Sequence, residues 1–141
     1  MTQVSQVMTR GVRTLAPTET VMKAAQAMQE LDAGVIPVCD GRKLVGMVTD
    51  RDIVLRGVAQ GCVVDKAQLR EVMSTDTQWC FEDQSLEEVS ERMRDAQIRR
   101  VPVVDRDKQL VGMLSLGDIA TRTHTEEETG ETLEEISKRR R

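Results

Sequence analysis

Residues 44–53 read Leu-Val-Gly-Met-Val-Thr-Asp-Arg-Asp-Ile, and residues 110–119 read Leu-Val-Gly-Met-Leu-Ser-Leu-Gly-Asp-Ile. Six of the ten positions are identical, and two more keep their residue type. Each decapeptide has the pattern of an apolar strand that runs into a helix, with a hydroxyl residue at the junction and an aspartate three positions later. The role of this Thr/Ser-x-x-Asp turn is the main functional question that the sequence poses.

The two decapeptides belong to a longer internal repeat. Pro37 and Pro102 lie 65 positions apart, and the same offset pairs Val7-Met8 with Val72-Met73. Beyond residue 40 the offset becomes 66, which one extra residue in the following turn explains. The repeat predicts a first copy at residues 7–60, a connector at 61–71, a second copy at 72–123 and a charged tail at 124–141.

Each copy has the pattern β-α-β-β-α, which indicates an α+β fold. In the first copy, apolar residues at 21, 24, 25, 28 and 31 predict a helix, followed by strands at 35–39 and 44–49 and a second helix from 50 to about 59. In the second copy, Leu86, Val89 and Met93 predict the buried helix face, with Ser85 and Asp83 as alternative N-caps. Strands at 100–104 and 110–115 and a helix at about 116–122 follow. Since one copy has too little core to stand alone, we expect the two to pack sheet to sheet around a pseudo-two-fold axis.

Composition restricts the function classes. The net charge of −4 argues against a general nucleic-acid binder, and no apolar run approaches the roughly 18 residues of a membrane span. Without an apolar signal core at the N-terminus, we expect a cytoplasmic protein. Cys39, Cys62 and Cys80 form no Cys-x-x-Cys pair and His124 is the single histidine, so we expect free thiols and no metal site.

The tail from residue 124 is rich in glutamate and ends in Lys138-Arg139-Arg140-Arg141. A solvated tail, partly disordered or helical, is favoured over a basic partner-binding end.

The repeated segments resemble a pair of CBS (cystathionine β-synthase) domains. The resemblance rests on three pairs of segments: 7–9 with 72–74, 34–38 with 99–103, and 46–52 with 112–118. The resemblance covers residues 7–123. More narrowly, the chain is similar to small stand-alone bacterial CBS-domain proteins, including hypoxic and stress-response types. It implies a regulatory, non-catalytic homodimer that senses an adenosine-containing ligand: AMP, ADP, ATP, NAD or S-adenosylmethionine. No nucleophile–base pair or Gly-rich phosphate loop argues for an enzyme.

The Thr/Ser-x-x-Asp turn has two interpretations. A carboxylate accepts hydrogen bonds from two adjacent hydroxyls, so an aspartate suits a ribose diol, and the free N–H groups of a helix start suit phosphate. The same residues also make a capping box, which stabilises a helix start without any ligand. The residues alone slightly favour the cap, whereas the resemblance favours a ligand site in the first copy.

The resemblance also implies that the turn of one copy faces the lead-in and first hairpin strand of the other. A first site, site A, would then comprise Thr49, Asp50, Arg51, Asp52, Gln78, Arg99, Arg100, Val101 and Pro102. Asp52 would hold the ribose, Val101 and Pro102 would flank the base, and the arginines would neutralise phosphate. The alternative for the arginines is a solvated edge.

The second site, site B, is expected to be weaker. It would comprise Arg13, Val35, Ile36, Pro37, Ser115 and Asp118. Leu116-Gly117 replaces the charged pair Asp50-Arg51, so phosphate neutralisation would depend on Arg13 alone. The alternative function for the whole chain is a structural or protein-interaction dimer with vestigial nucleotide pockets.

Overall fold

The computed structural model describes residues 1–122, so the predicted charged tail and His124 lie outside the described residues. Mixed helices and small sheets confirm the α+β class. The described chain forms two compact units: Arg13–Thr77, and Met1–Val12 together with residues 78–122. Within the described part of the chain, no helix is both long and apolar enough to span a membrane.

The unit Arg13–Thr77 contains helix α1 (Val21–Leu31) and the antiparallel strands β1 (Val35–Asp40) and β2 (Lys43–Thr49). Helix α2 (Asp50–Asp52) follows β2 without a gap. The chain continues as a π-type turn at Ile53–Gly57 and a 3₁₀ turn at Val58–Gln60. Thr20 caps α1 by accepting a hydrogen bond from the Lys23 N–H, and the left-handed Asp32 ends it.

The buried face of α1 differs in part from the predicted one. Val21, Ala24 and Met28 are buried as expected, but the helix also buries Ala27. The predicted Ala25 is exposed, and so is Leu31, at 46%. The buried residues lie at positions i, i+3, i+6 and i+7, so the buried face is shifted away from Ala25 and Leu31.

The second unit contains β3 (Cys80–Phe81), α3 (Leu86–Ala96), β4 (Arg100–Val104), β5 (Leu110–Ser115) and α4 (Leu116–Arg122). Its sheet has the order β3-β4-β5, with β3 parallel to β4 and β4 antiparallel to β5. Ser85 is the N-cap of α3, because its side chain accepts from the Glu88 N–H at 3.1 Å. The alternative cap, Asp83, instead pairs with Arg106 through two bonds of 2.9 and 2.7 Å.

Each unit is completed by a segment that precedes the other copy in sequence. We call Met1–Val12 the N-terminal strap and residues 61–77 the central strap. In the N-terminal strap, Thr9 pairs with Met113 through backbone hydrogen bonds of 2.8 and 2.9 Å. In the central strap, Ser74 pairs with Met47 in the same way, at 2.8 and 2.9 Å. The compact units therefore differ from the sequence copies 7–60 and 72–123. Residues 7–12 of the first copy pack with the second, whereas residues 72–77 of the second copy pack with the first, together with the connector 61–71.

The central strap is a core element rather than a linker. Leu69, in a 3₁₀ turn at Leu69–Glu71, and Val72 are buried in the cluster that contains Val21, Ile36 and Val48. In the other unit the N-terminal strap contributes Val4 and Val7 to the equivalent cluster. Burial of these side chains is the main force that holds each strap in place.

Glu19 fixes the start of α1 in a pH-dependent way. Its carboxylate accepts from the Ala16 N–H at 2.7 Å and pairs with Lys23 at 2.9 Å. The Lys23 hydrogen bond, followed by the backbone bond from Ala16, lowers the pKa of Glu19 below its usual value of 4.5.

We expect Glu19→Gln to lower the free energy of unfolding by about 0.5 kcal/mol at pH 7, because the pair with Lys23 is lost. Since the folded-state pKa is depressed, the carboxylate stabilises the fold above the unfolded pKa, and this contribution is lost as the pH falls through the folded value. Urea unfolding of both proteins from pH 7 to pH 3 measures the difference, which should vanish at the acid end. Glu30→Gln, which removes the exposed pair with Arg13, is the control and should have a smaller effect. A difference that grows at low pH would contradict the assignment.

Candidate ligand site

The first Thr-x-x-Asp turn forms a reciprocal capping box. The Thr49 hydroxyl accepts from the Asp52 N–H at 3.0 Å, and the Asp52 carboxylate accepts from the Thr49 N–H at 3.0 Å. The Asp52 side chain is 13% exposed. The capping interpretation of these two residues is therefore correct as far as their local bonds are concerned, and any ligand would bind to a carboxylate that already has partners.

Asp52 has two further partners that the sequence did not indicate. The Ser74 hydroxyl donates to its two carboxylate oxygens at 3.3 and 3.4 Å. The Arg56 Nε lies 4.0 Å from one of these oxygens, and an Arg56 Nη donates to the Met73 carbonyl at 3.1 Å. A carboxylate offers about four acceptor positions. The Thr49 amide, one long, shared hydroxyl bond and the guanidinium group at 4.0 Å therefore leave acceptor capacity on Asp52.

The middle residues of the turn present charges to solvent. Asp50 and Arg51 are exposed, and the Asp50 carboxylate accepts from the Arg51 N–H at 2.9 Å. A Cβ atom added at Gly34 would lie 3.1 Å from an Asp50 carboxylate oxygen, so this glycine gives the carboxylate its room. Among residues 1–122, no salt bridge involves Arg51, Arg99 or Arg100. These three guanidinium groups keep their charge available for an anion.

The second turn repeats the cap but not the charges. The Ser115 hydroxyl accepts from the Asp118 N–H at 3.0 Å, and Asp118 accepts from the Ser115 N–H at 3.2 Å. The Thr9 hydroxyl donates to the other Asp118 oxygen at 2.8 Å. Leu116 packs into the core and Gly117 has no side chain, so this turn carries no cation. Arg13, the predicted cation of site B, is paired with Glu30 at 3.2 Å.

The predicted site residues are divided between the two units. The unit Arg13–Thr77 holds residues 49–52 of site A, and residue 13 and residues 35–37 of site B. The other unit holds Gln78 and residues 99–102 of site A, together with Ser115 and Asp118 of site B. Within each unit, β pairing places members of different predicted sites opposite each other, Val35 with Thr49 and Arg100 with Ser115.

The apolar members of both predicted sites are largely buried. Val101 is 2% exposed and Ile36 is equally covered; both belong to the cores of their units. Pro37 and Pro102 are also buried, and Val35 is half-buried. Gln78 is exposed, and its side-chain oxygen accepts from an Arg92 Nη at 3.4 Å. The side chains of Val101 and Ile36 are thus packed in the cores of their units. The polar residues of the predicted sites are the ones that remain accessible to a ligand.

The hydroxyls of Ser74 and Thr9 are the functional groups that sequence analysis missed. A signal for them exists, because the 65-residue offset pairs Thr9 with Ser74 and both carry a hydroxyl. The offset does not say which aspartate each hydroxyl contacts, since that depends on which copy each strap packs against.

Metal binding and thiol chemistry depend on how the His, Cys, Asp and Glu side chains are placed. Within residues 1–122, no group of three or more His, Cys, Asp or Glu side chains is arranged to hold a metal ion. Cys39, Cys62 and Cys80 are free thiols. Burial raises the pKa of Cys39, and it raises that of Cys80 to about 12, so neither is a thiolate at neutral pH.

Comparison with known proteins identifies relatives along nearly the whole chain. The family model described as CBS domain matches residues 4–58 and 69–124. The CBS domain-containing protein YhcV of Bacillus subtilis is 42% identical over 137 residues, which cover 97% of this chain and 96% of that protein. Hypoxic response protein 1 of Mycobacterium tuberculosis is 38% identical over 121 residues, covering 85% and 84%.

Solved structures show the same fold. Hypoxic Response Protein I, crystallised with two coordinated zinc ions, superimposes with a TM-score of 0.78 at 37% identity and covers 87% of this chain and 100% of its own. The CBS domain pair of protein MJ0100, in complex with 5′-methylthioadenosine and S-adenosyl-L-methionine, has a TM-score of 0.71 at 28% identity and covers 85% and 94%.

Proposed function

Because the chain belongs to the CBS domain family, we propose that it is a regulatory module that binds an adenosine-containing ligand and signals through a change of conformation or of affinity for a partner. AMP and ATP are the first candidates, and NAD and S-adenosylmethionine are the next. Catalysis is not part of this proposal, and the location that goes with it is the cytoplasm. The MJ0100 domain pair, which is crystallised with two adenosyl compounds, supports this ligand class.

The observation that carries the proposal is the contrast between the two turns. Both have the same cap, yet only the first adds exposed charges, Asp50 and Arg51, to its aspartate. Capping alone does not require these charges. We propose that Asp52 binds the ribose and that Arg51 binds phosphate, because a guanidinium group suits a phosphate oxygen pair.

The remaining members of site A complete the proposal. Arg99 and Arg100 are exposed cations without a salt bridge in the described part of the chain, and we assign them to phosphate. Thr49 and Gln78 are assigned to polar contacts, and Val101 and Pro102 are assigned to the base. Site B, with Asp118 and the paired Arg13, is proposed as a weaker site or one for a less charged ligand.

Asp52→Ala tests the proposal, with Asp118→Ala as a matched control. Each change removes the carboxylate of one capping box, so we expect each to lower the free energy of unfolding by about 1 kcal/mol. Asp52→Ala should in addition weaken AMP binding by about 10- to 100-fold, because charge-assisted hydrogen bonds to the ribose are lost. Calorimetric titration with AMP, ATP, NAD and S-adenosylmethionine measures the affinity, and urea unfolding measures the stability.

Two results would contradict the proposal. Either no adenosyl compound binds the wild-type chain at millimolar concentration, or the two alanine variants have the same affinity for AMP. The second candidate function, a structural or interaction dimer with vestigial pockets, predicts the stability loss alone. It is favoured by the fact that internal hydrogen bonds already engage Asp52.

We propose a homodimer as the assembly. Val54, Leu55 and Val58 expose large apolar side chains on the turns that follow α2, and an apolar cluster of this kind fits a second copy of the same chain. Val58→Glu is expected to shift sedimentation from dimer to monomer, because a charge in the interface lacks a partner. A wild-type monomer at all concentrations would contradict this assembly.

A further inference from the structure

Two strap hydroxyls contact the two turn aspartates with different geometry. The Ser74 hydroxyl is shared between both Asp52 oxygens, at 3.3 and 3.4 Å. The Thr9 hydroxyl contacts a single Asp118 oxygen at 2.8 Å. Since the mode for a hydroxyl–oxygen bond is about 2.7–2.8 Å, the Thr9 bond is strong and the Ser74 bond is weak.

The Ser74 hydroxyl contacts the same two carboxylate oxygens that a ribose diol would use. An oxygen nearly equidistant from both carboxylate oxygens lies near the plane that bisects them. A vicinal diol that donates one hydrogen bond to each oxygen must straddle this same plane. The serine hydroxyl and a bidentate diol therefore draw on the same two carboxylate oxygens of Asp52.

Ser74 can move its hydroxyl away without disturbing the fold. The Ser74 backbone is held by two hydrogen bonds to Met47, and the preceding carbonyl accepts from Arg56. Only rotation about the side-chain bond is needed, and serine lacks the β-branch that stiffens this bond. Threonine is β-branched and stiffer about this bond, which agrees with the short, single contact of Thr9.

We infer, on the basis of the proposed function, that the Ser74 hydroxyl is an exchangeable occupant of Asp52 which the ligand's diol displaces. Ser74 thereby sets the affinity of this site. The equivalent Thr9 holds its bond to Asp118 and keeps the second carboxylate occupied.

Calorimetric titration of the full chain with AMP tests the inference through changes of opposite sign. Ser74→Ala removes the competing hydroxyl and should tighten AMP binding about threefold, the share of one weak hydrogen bond. Ser74→Thr restricts rotation of the side chain whose hydroxyl contacts Asp52 and should weaken AMP binding by about threefold or more. Thr18→Ala removes an exposed hydroxyl of the same unit and should leave the affinity unchanged. A crystal structure of the AMP complex should place the Ser74 hydroxyl beyond 3.5 Å from both Asp52 oxygens.

The outcomes separate this inference from the proposed function. If AMP binds, Asp52→Ala weakens it and Ser74→Ala leaves the affinity equal or lower, the inference is wrong and the proposed function stands. A complex that retains the Ser74–Asp52 bond overturns it as well. If AMP and the other adenosyl compounds fail to bind the wild-type chain, both are wrong.

Discussion

Replacing Leu69 with alanine is expected to lower the free energy of unfolding by about 3 kcal/mol. The Leu69 side chain is 0% exposed, although it lies in a stretch that the repeat predicts as a connector. Its surroundings cannot collapse easily into the cavity, because the backbone on either side is fixed. The Leu69 N–H donates to the Glu19 carbonyl at 2.9 Å, and the Arg70 N–H donates to the Pro17 carbonyl at 3.0 Å.

Urea unfolding measures this loss, and Val63→Ala is the matched control. Val63 lies in the same central strap but is 59% exposed, so its truncation should change stability by less than about 0.5 kcal/mol. Equal and small effects of the two changes would mean that the strap is a linker after all.

Gly46→Ala is expected to cost about 2–3 kcal/mol, since it forces two backbone segments apart. A Cβ atom at Gly46 would lie 2.6 Å from the Ser74 carbonyl oxygen and 3.3 Å from the Met73 sulfur. The Met47 N–H holds this same carbonyl at 2.9 Å, so the oxygen cannot retreat without breaking the pairing. The shared glycine of the two decapeptides therefore lets the strap backbone approach the sheet more closely than a side chain would allow.

Alanine substitutions at two other glycines serve as comparisons for Gly46→Ala. Gly112→Ala should be equally costly, because its Cβ would lie 2.7 Å from the Thr9 carbonyl oxygen. Gly117→Ala meets only the Ser115 hydroxyl, at an ordinary 3.6 Å, and it replaces a helical glycine. It should stabilise the protein by up to about 1 kcal/mol. Thermal unfolding of the three variants measures the effect, and a loss at Gly117 as large as at Gly46 would contradict the steric account.

The sequence predicted the local structure well, because the spacing of apolar residues along the chain differs between helices and strands. Apolar spacing placed α1 at its observed bounds and β4 and β5 at theirs. The π-type turn at Ile53–Gly57 was not predicted, since the 3.6-residue period does not distinguish it from an α-helix.

Only those contacts of the candidate site that join residues close in sequence could be predicted. The reciprocal bonds of Thr49 and Asp52 follow from a three-residue spacing and were foreseen as one of two interpretations. The contacts of Ser74 and Thr9 depend on tertiary packing across 22 and 109 residues of chain. A repeat reports that two segments are equivalent, but it does not report which sheet each one joins.

Because each strap packs against the other copy, the two units can be completed only in a fixed order during synthesis. The unit Arg13–Thr77 is one continuous stretch, so all its parts exist once Thr77 has been added. The other unit needs Met1–Val12, which is made before the rest of that unit, and the Thr9 hydroxyl meets Asp118 only 109 residues later. At about 5–20 residues per second, this delay on the ribosome is roughly 5–20 s. During that time the apolar side chains of Val4 and Val7 lack most of the core in which they are buried in the complete unit, since its other members, apart from Met8, lie between Cys80 and Ile119.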